Sequence, residues 1–213
     1  MMHRRVFLAA AAAVLSPWAQ ASGLSALASF LADVQSGDVT FTQTIRPAGQ
    51  ADAPSQVLRG RMRFSRPDRF RFDYLTPYEQ VIVADGQAIW LYDVDLAQVS
   101  VSDQERTLAN SPVGALLAAR DVASLRALFE LTEAPAREGL QWVRAQPRQK
   151  DAALVEAVLG FGAQGLARLD MVDAFGQRSS FSFDSMGMGQ AVPATVFQFV
   201  PPAELDLIDQ RQS

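Results

Sequence analysis

Residues 58–80, LRGRMRFSRPDRFRFDYLTPYEQ, decide how the rest of the chain is read. Leu58, Gly60, Met62 and Phe64 fall on one side of an extended backbone, and Arg59, Arg61 and Arg63 on the other. After Ser65-Arg66-Pro67-Asp68 the alternation resumes, with Phe70, Phe72 and Tyr74 against Arg69, Arg71 and Asp73. A period of two over this length predicts two half-buried antiparallel strands joined by a short turn. Their apolar side needs a partner, which the remainder of the chain must supply.

The amino terminus is not expected to belong to the fold. Arg4 and Arg5, the apolar run 6–15 and Ala19-Gln20-Ala21 have the order of an export signal, and the run is too short to span a membrane. Arg-Arg-Val-Phe-Leu also resembles a twin-arginine signal, so both the Sec and the twin-arginine routes stay open. Cleavage after Ala21 is expected, leaving residues 22–213 as a single domain. The signal holds two of the 19 basic residues, which leaves 17 against 23 acids. That mild acidity argues against nucleic acid as a partner.

The chain has no Cys, hence no disulfide and no lipidated Cys behind the signal; a soluble, unanchored monomer is expected. Its single His is His3, inside the signal, which rules out a Ser-His-Asp or Cys-His catalytic set and a His/Cys zinc site. No two carboxylates are forced together by spacing. No catalytic residue, metal ligand or cofactor is assigned.

Taken in order, Leu24, Leu27, Phe30, Leu31 and Val34 have helical spacing behind Ser22. Strands are predicted at 39–45, 58–64 and 70–74, then at 80–84 and 87–92 around the hairpin pair Asp85-Gly86, then at 98–101. Pro112 opens a helical stretch with Val113, Leu116 and Leu117, and Leu125, Leu128 and Phe129 continue in a second piece. Strands resume at 140–145, 154–159, 166–172, 178–183 and 195–199. About eleven short strands with two or three helices predict a mainly β fold: an incomplete antiparallel barrel or curved sheet with helices on its concave side. An outer-membrane barrel is the competing reading. The helical middle argues against it, as does the absence of strands of roughly ten residues with an aromatic girdle.

By itself the stripe at 58–74 is core packing, although its Met and aromatic content also suits an adaptable lipid-binding surface. Arg66 reads either as a solvent-facing turn residue or as a latch whose five donors hold the carbonyls of an overlying helix. Arg59, Arg61, Arg63, Arg69 and Arg71 read as a solvated outer face.

Several motifs in series resemble the periplasmic carriers of outer-membrane lipoproteins, the LolA family. They are Gly60-x-Met62-x-Phe64-x-Arg66-Pro67, Phe70-Arg-Phe72-x-Tyr74, and Pro77-x-x-Gln80-x-Ile82-x-x-Asp85-Gly86. Trp90-x-Tyr92-Asp93, Gln98-Val99, Pro112 with Leu116-Leu117, Asp173-x-Phe175-Gly176-Gln177 and Phe197-x-Phe199-x-Pro201-Pro202 continue the series. The resemblance implies a half-barrel of about eleven strands whose apolar cavity is closed by helices. It implies a non-enzymatic chaperone that accepts triacylated lipoproteins from an inner-membrane ABC-type releasing complex. Delivery to an outer-membrane lipoprotein receptor follows.

On this resemblance Arg66 is the lid latch. Phe41, Leu58, Met62, Phe64, Phe70, Phe72, Tyr74 and Trp90 line the lipid cavity. Leu27, Leu31, Leu116 and Leu117 are the apolar faces of the lid helices. Two other functions stay in view: a periplasmic carrier of free phospholipid or another envelope lipid, and a carboxylate-based lipid-modifying enzyme.

Overall fold

The computed structural model describes residues 22–49, 54–109, 112–149 and 152–211. The export signal read at 1–21 lies outside them. Helix α1 (Gly23–Asp33) leads into a six-strand meander: β1 (Ser36–Arg46), β2 (Gln56–Ser65), β3 (Arg69–Thr76), β4 (Gln80–Asp85), β5 (Ala88–Asp93) and β6 (Gln98–Asp103). Three short helices follow, α2 (Gln104–Ala109), α3 (Pro112–Ala118) and α4 (Val122–Leu128). Five further strands are β7 (Phe129–Arg137), β8 (Leu140–Pro147), β9 (Leu154–Gly162), β10 (Gly165–Asp173) and β11 (Arg178–Phe183). After two 3-10 turns, β12 (Asp206–Asp209) ends the series.

All twelve strands form one open sheet in the order β12-β6-β5-β4-β3-β2-β1-β11-β10-β9-β8-β7. Every pairing is antiparallel except β12 on β6. The sheet does not close into a barrel, and α2–α4 carry the chain from β6 to β7 across the open side. Bulges between Arg59 and Gly60, Leu166 and Arg168, and Ala134 and Arg137 bend it, since each extra residue sharpens the local twist.

Register explains the inner face. Phe41 lies opposite Gly60 and Phe183, Gly60 opposite Tyr74, Met62 opposite Phe72, and Phe64 opposite Phe70. Directly opposed residues share a face. The Phe41 ring stands 5.7 Å from Phe72, 5.1 Å from Tyr74 and 5.8 Å from Phe181, tilted or edge-on. Such pairs contribute about 0.5–1.5 kcal/mol each beyond burial. Gly60 makes room for the cluster, because a Cβ there would lie 2.2 Å from the Asp73 carbonyl oxygen and 2.7 Å from the Phe41 ring. The cluster's polar edge is satisfied internally, with the Tyr74 hydroxyl donating to Gln43 Oε1 at 3.1 Å.

The outer face has a second, smaller core. Val83, Trp90 and Val101 lie in one cross-strand row, with Tyr92 and Val99 in the next, all pointing away from the Phe cluster. The segment after β11 covers them. Its 3-10 turn Ala194–Phe197 packs on β3 and β4, Phe197 is buried, and Phe199 stands 5.6 Å from Trp90 and 6.2 Å from Tyr92. The arginine face is therefore not purely solvated. Arg63 and Arg71 both pair with Asp73, Arg61 pairs with Asp38, and Arg71 donates to the Val196 carbonyl at 3.5 Å.

Three expectations about elements change. Residues 195–199 do not form a strand; the chain there winds through the 3-10 turn because its partner is the outer face, not a sheet edge. Phe129 opens strand β7 instead of ending a helix. The twelfth strand, four exposed residues, exists through pairing with β6.

Two outcomes are expected. Gly60→Ala should lower stability by about 1–3 kcal/mol in urea denaturation, because the neighbouring backbone cannot yield cheaply; unchanged stability would contradict the close approach. Burial, with a smaller contribution from Tyr78, raises the Tyr74 phenol to about 12. An unfolded phenol ionises near ~10, so this contribution to stability is complete below ~10 and is lost as pH rises through the folded value. Absorbance at 295 nm should therefore show a last ionisation near 12. Tyr74→Phe should abolish that step, and its persistence would assign it elsewhere.

Candidate functional site: a latched helical cover

Helix α1 lies on the inner side of the sheet. Ser22 caps it, accepting from Ser25 N at 3.2 Å, and Leu27, Phe30 and Leu31 at helical spacing are all buried. Its first turn is clasped by Glu133 of β7, whose carboxylate accepts from Gly23 N at 2.9 Å and Leu24 N at 3.0 Å. Gly23 is obligatory at this contact, since a Cβ would sit 2.2 Å from the Trp142 carbonyl oxygen. At the other end, Gln35 Nε2 donates to the carbonyls of Leu31 and Ala32, both at 3.0 Å, and so ends the helix.

The cover is completed by α3 and α4. Asp121 caps α4 by accepting from Ser124 N at 2.7 Å. Arg148 fixes the far end, with its Nε donating to the Arg126 carbonyl at 2.8 Å. Ala115, Leu116, Leu117, Ala119 and Leu125 are buried in the same core as the inner Phe cluster.

Arg66 joins the turn between β2 and β3 to both parts of this cover. Its Nε donates to the Val34 carbonyl at the end of α1, 2.9 Å away. Its Nη1 donates to the carbonyls of Leu116, Leu117 and Ala119, at 2.7, 3.1 and 3.0 Å. Two protons serve three acceptors there, so one bond is shared. The guanidinium carbon stands 5.2 Å from the Phe30 ring centre and 5.8 Å from that of Phe64.

No carboxylate lies within ion-pair distance of Arg66 among the described residues, and Nη2 is enclosed without a hydrogen-bond partner. Burial pulls its pKa down to about 10, which leaves the side chain charged at neutral pH. Each charge-assisted bond contributes about 1.5–3 kcal/mol, whereas withdrawing an unpaired cation from water costs several. The closed arrangement is thus a near balance of large opposing contributions.

Under the cover a small void of about 20 Å3 is lined by Leu27, Leu116, Leu125, Ala145, Ala157 and Leu169 among others, all apolar. It would hold about one water-sized group and has no polar partner for it. An acyl chain is many times larger and requires the cover to move.

Phe41, Met62, Phe64, Phe70, Phe72 and Tyr74 lie together on the inner face, and Leu27, Leu31, Leu116 and Leu117 are packed within the same cluster. Leu58 is buried in register with Gln43, outside that cluster. Trp90 does not join them. It lies on the outer face opposite Val83 and Val101, donating its indole N–H to Asp85 Oδ2 at 2.9 Å beneath Phe199. Its assignment to the cavity is corrected: β5 is apolar on both faces, and Ile89 and Leu91 are the residues it turns inward.

Sequence reading did not single out the residues around the void from the second half of the sheet: Phe129, Leu131, Ala145, Ala157, Leu159 and Leu169. The alternation within 154–159 was the available signal. Glu133 and Gln104 were also missed. Gln104 is buried, accepts from Gly86 N at 3.0 Å and donates to the Asp68 carbonyl at 2.6 Å, tying two hairpin turns to α2. Among the described residues no acidic or His/Cys cluster could hold a metal ion, and no helix is long and apolar enough to cross a membrane.

The sequence is similar to those of known proteins. The family model described as outer membrane lipoprotein carrier protein LolA matches residues 32–200. An outer-membrane lipoprotein carrier protein of Albidiferax ferrireducens is 45% identical, over 90% of this chain and 93% of its own length. One from Methylibium petroleiphilum is 43% identical, over 99% and 100%. One from Neisseria gonorrhoeae is 34% identical, over 89% and 88%. A solved LolA superfamily structure from Nitrosomonas europaea aligns over 83% of this chain and 96% of its own, with a TM-score of 0.48 and 10% identity. On the extent of the family match and the identity shared with these relatives, this chain belongs to the LolA family of outer membrane lipoprotein carrier proteins.

Proposed function

We propose that this chain is a soluble periplasmic chaperone for outer-membrane lipoproteins and performs no chemistry of its own. It accepts triacylated lipoproteins from an ABC-type releasing complex in the inner membrane, shields their acyl chains, and delivers them to a receptor on the outer membrane. Residues 1–21 direct export and are removed, leaving 22–213 as one domain. The observation that carries this reading is the latch: one charged side chain bonds to both α1 and α3 of an apolar cover over an apolar interior. The printed names of the relatives support the choice of cargo.

Energetics supports a carrier that closes when empty. Burying one acyl chain contributes about 0.8 kcal/mol per methylene, on the order of 10 kcal/mol per chain. A permanently open cavity would hold cargo too tightly to surrender it. In the closed form, the cover's own apolar contacts and the Arg66 bonds must be lost before lipid enters. That loss offsets much of the gain and leaves transfer close to balance. Arg66 sets the offset, and Phe41, Leu58, Met62, Phe64, Phe70, Phe72 and Tyr74 supply apolar wall.

The test is reconstitution. Purified protein added to membranes containing the releasing complex and ATP should withdraw lipoprotein into a soluble one-to-one complex; cargo that stays in the membrane fraction would overturn the function. Arg66→Leu should load cargo in the same assay but pass it poorly to receptor-bearing membranes. Delivery at the wild-type rate would remove the latch role.

A further inference from the structure

The turn between β10 and β11, Asp173-Ala174-Phe175-Gly176-Gln177, has no part in the latch or the interior. It is stiff. Asp173 Oδ1 accepts from Phe175 N and Gln177 N, both at 2.9 Å, and Gly176 N donates to the Asp173 carbonyl at 3.0 Å. Ala174 N donates to the Ala153 carbonyl at 2.9 Å, and Gly176 takes φ +80, where a side chain would be strained. All this bonding does not fold Phe175 onto the sheet. Its ring is 87% exposed, the most exposed large apolar side chain among the described residues.

The strands beside the turn carry charge of one sign. Arg46 of β1 and Arg178 of β11 are directly opposed in register, and both are exposed. Neither forms an ion pair among the described residues. Like charges directly opposed across two strands destabilise the pairing. The next two rows, Thr44 with Ser180 and Thr42 with Ser182, bring no carboxylate to their aid. Asp170, across from Ser180, is taken by Arg137, and Asp173 is spent on the turn itself. On β2, exposed Val57 and Arg59 lie opposite Thr44 and Thr42 and extend the same surface. A Cβ on Gly176 would lie 3.1 Å from the Ala48 Cβ, so the tip of the turn abuts the chain leaving β1.

We propose that Phe175, Arg46 and Arg178 form a contact for an anionic bilayer surface, the ring entering the interface while the two guanidinium groups take lipid phosphates. Planar forks match phosphate oxygens, and an anion between them removes the repulsion that the chain leaves unanswered. An aromatic ring already held in place loses little freedom on insertion. The choice of a bilayer as partner rests on the carrier reading, which brings the protein to membrane surfaces; the contact itself needs no cargo. One ring and two cations give only reversible association, as a shuttling carrier requires. Strand β2 runs from this patch to the Arg66 turn, about 30 Å away at 3.3 Å per residue, so a bilayer held here leaves the latch clear.

The test uses the exported protein, purified from the periplasm, with lipoprotein-free vesicles in co-sedimentation. Phosphatidylcholine–phosphatidylglycerol vesicles should retain it at low salt, and phosphatidylcholine vesicles should not. Arg46→Ser and Arg178→Ser should each weaken this partition roughly fivefold, and Phe175→Ser should weaken it at every salt concentration. In Phe175→Trp, lipid brominated on its acyl chains should quench the added emission. Equal association with both vesicles, or wild-type binding by Phe175→Ser, overturns the proposal. The thermal midpoint of Arg178→Ser should equal or exceed that of wild type; a lower one would show that the pair is answered within the chain, and also overturns it. Lipoprotein release that proceeds in the reconstitution without any vesicle binding removes this contact and leaves the carrier reading standing. Vesicle binding with release absent does the reverse.

Discussion

A guanidinium without a counter-ion sits at the point on which this structure depends. Arg66 is held by four backbone carbonyls and two aromatic rings, and its remaining amino group has no partner. A carboxylate in the same place would make a much deeper minimum, and a hydrophobic residue would make none. Carbonyl dipoles lie between these limits, strong enough to select one geometry yet weak enough to be outcompeted by buried methylenes. The fork shape matters as much as the charge. Nε reaches α1 while Nη1 reaches α3, so one side chain registers two helices against one turn.

For that side chain to be decisive, the sheet beneath it has to be rigid. The inner Phe cluster and the outer core around Val83, Trp90 and Phe199 stiffen the β2–β6 half from both sides. The Asp85-Gly86 hairpin adds to this: Asp85 accepts from Gln87 N and Ala88 N at 2.8 Å and from the Trp90 indole, and Gly86 takes φ +103. Gln104 then ties the Asp85-Gly86 turn to the turn carrying Arg66. The latch is mounted on a braced corner, and its grip passes to the helices instead of dissipating in the turn.

Local periodicity was enough to place strands β2 and β3 and the shared face of Met62, Phe64, Phe70 and Phe72, because alternation is a property of adjacent residues. Trp90 went to the wrong face because β5 reads Ala-Ile-Trp-Leu-Tyr, apolar on both sides. What decides its orientation is a covering segment about a hundred residues away. Strand β7 was missed since most of its residues are exposed and Pro135 interrupts it, as suits the edge of a sheet. Arg66 read on its own terms as either a turn residue or a latch for an overlying helix; the carbonyls it holds lie 32 residues before it and about fifty after it, and the family resemblance favoured the latch. Small residues such as Ala145 and Ala157 give no sequence signal, although their lack of bulk shapes the void.

The central claim is that a directional fork, and not merely a positive charge, holds the cover closed. Hydrogen exchange at the Ala119 amide, bonded to the Ala115 carbonyl at 2.9 Å in the closed form, measures this directly when Arg66 is replaced by Lys. A lysine keeps the charge but cannot reach Val34 and Leu116 together. The account predicts that protection of the Ala119 amide in Arg66→Lys falls well below wild type. Wild-type protection with lysine in place would contradict it.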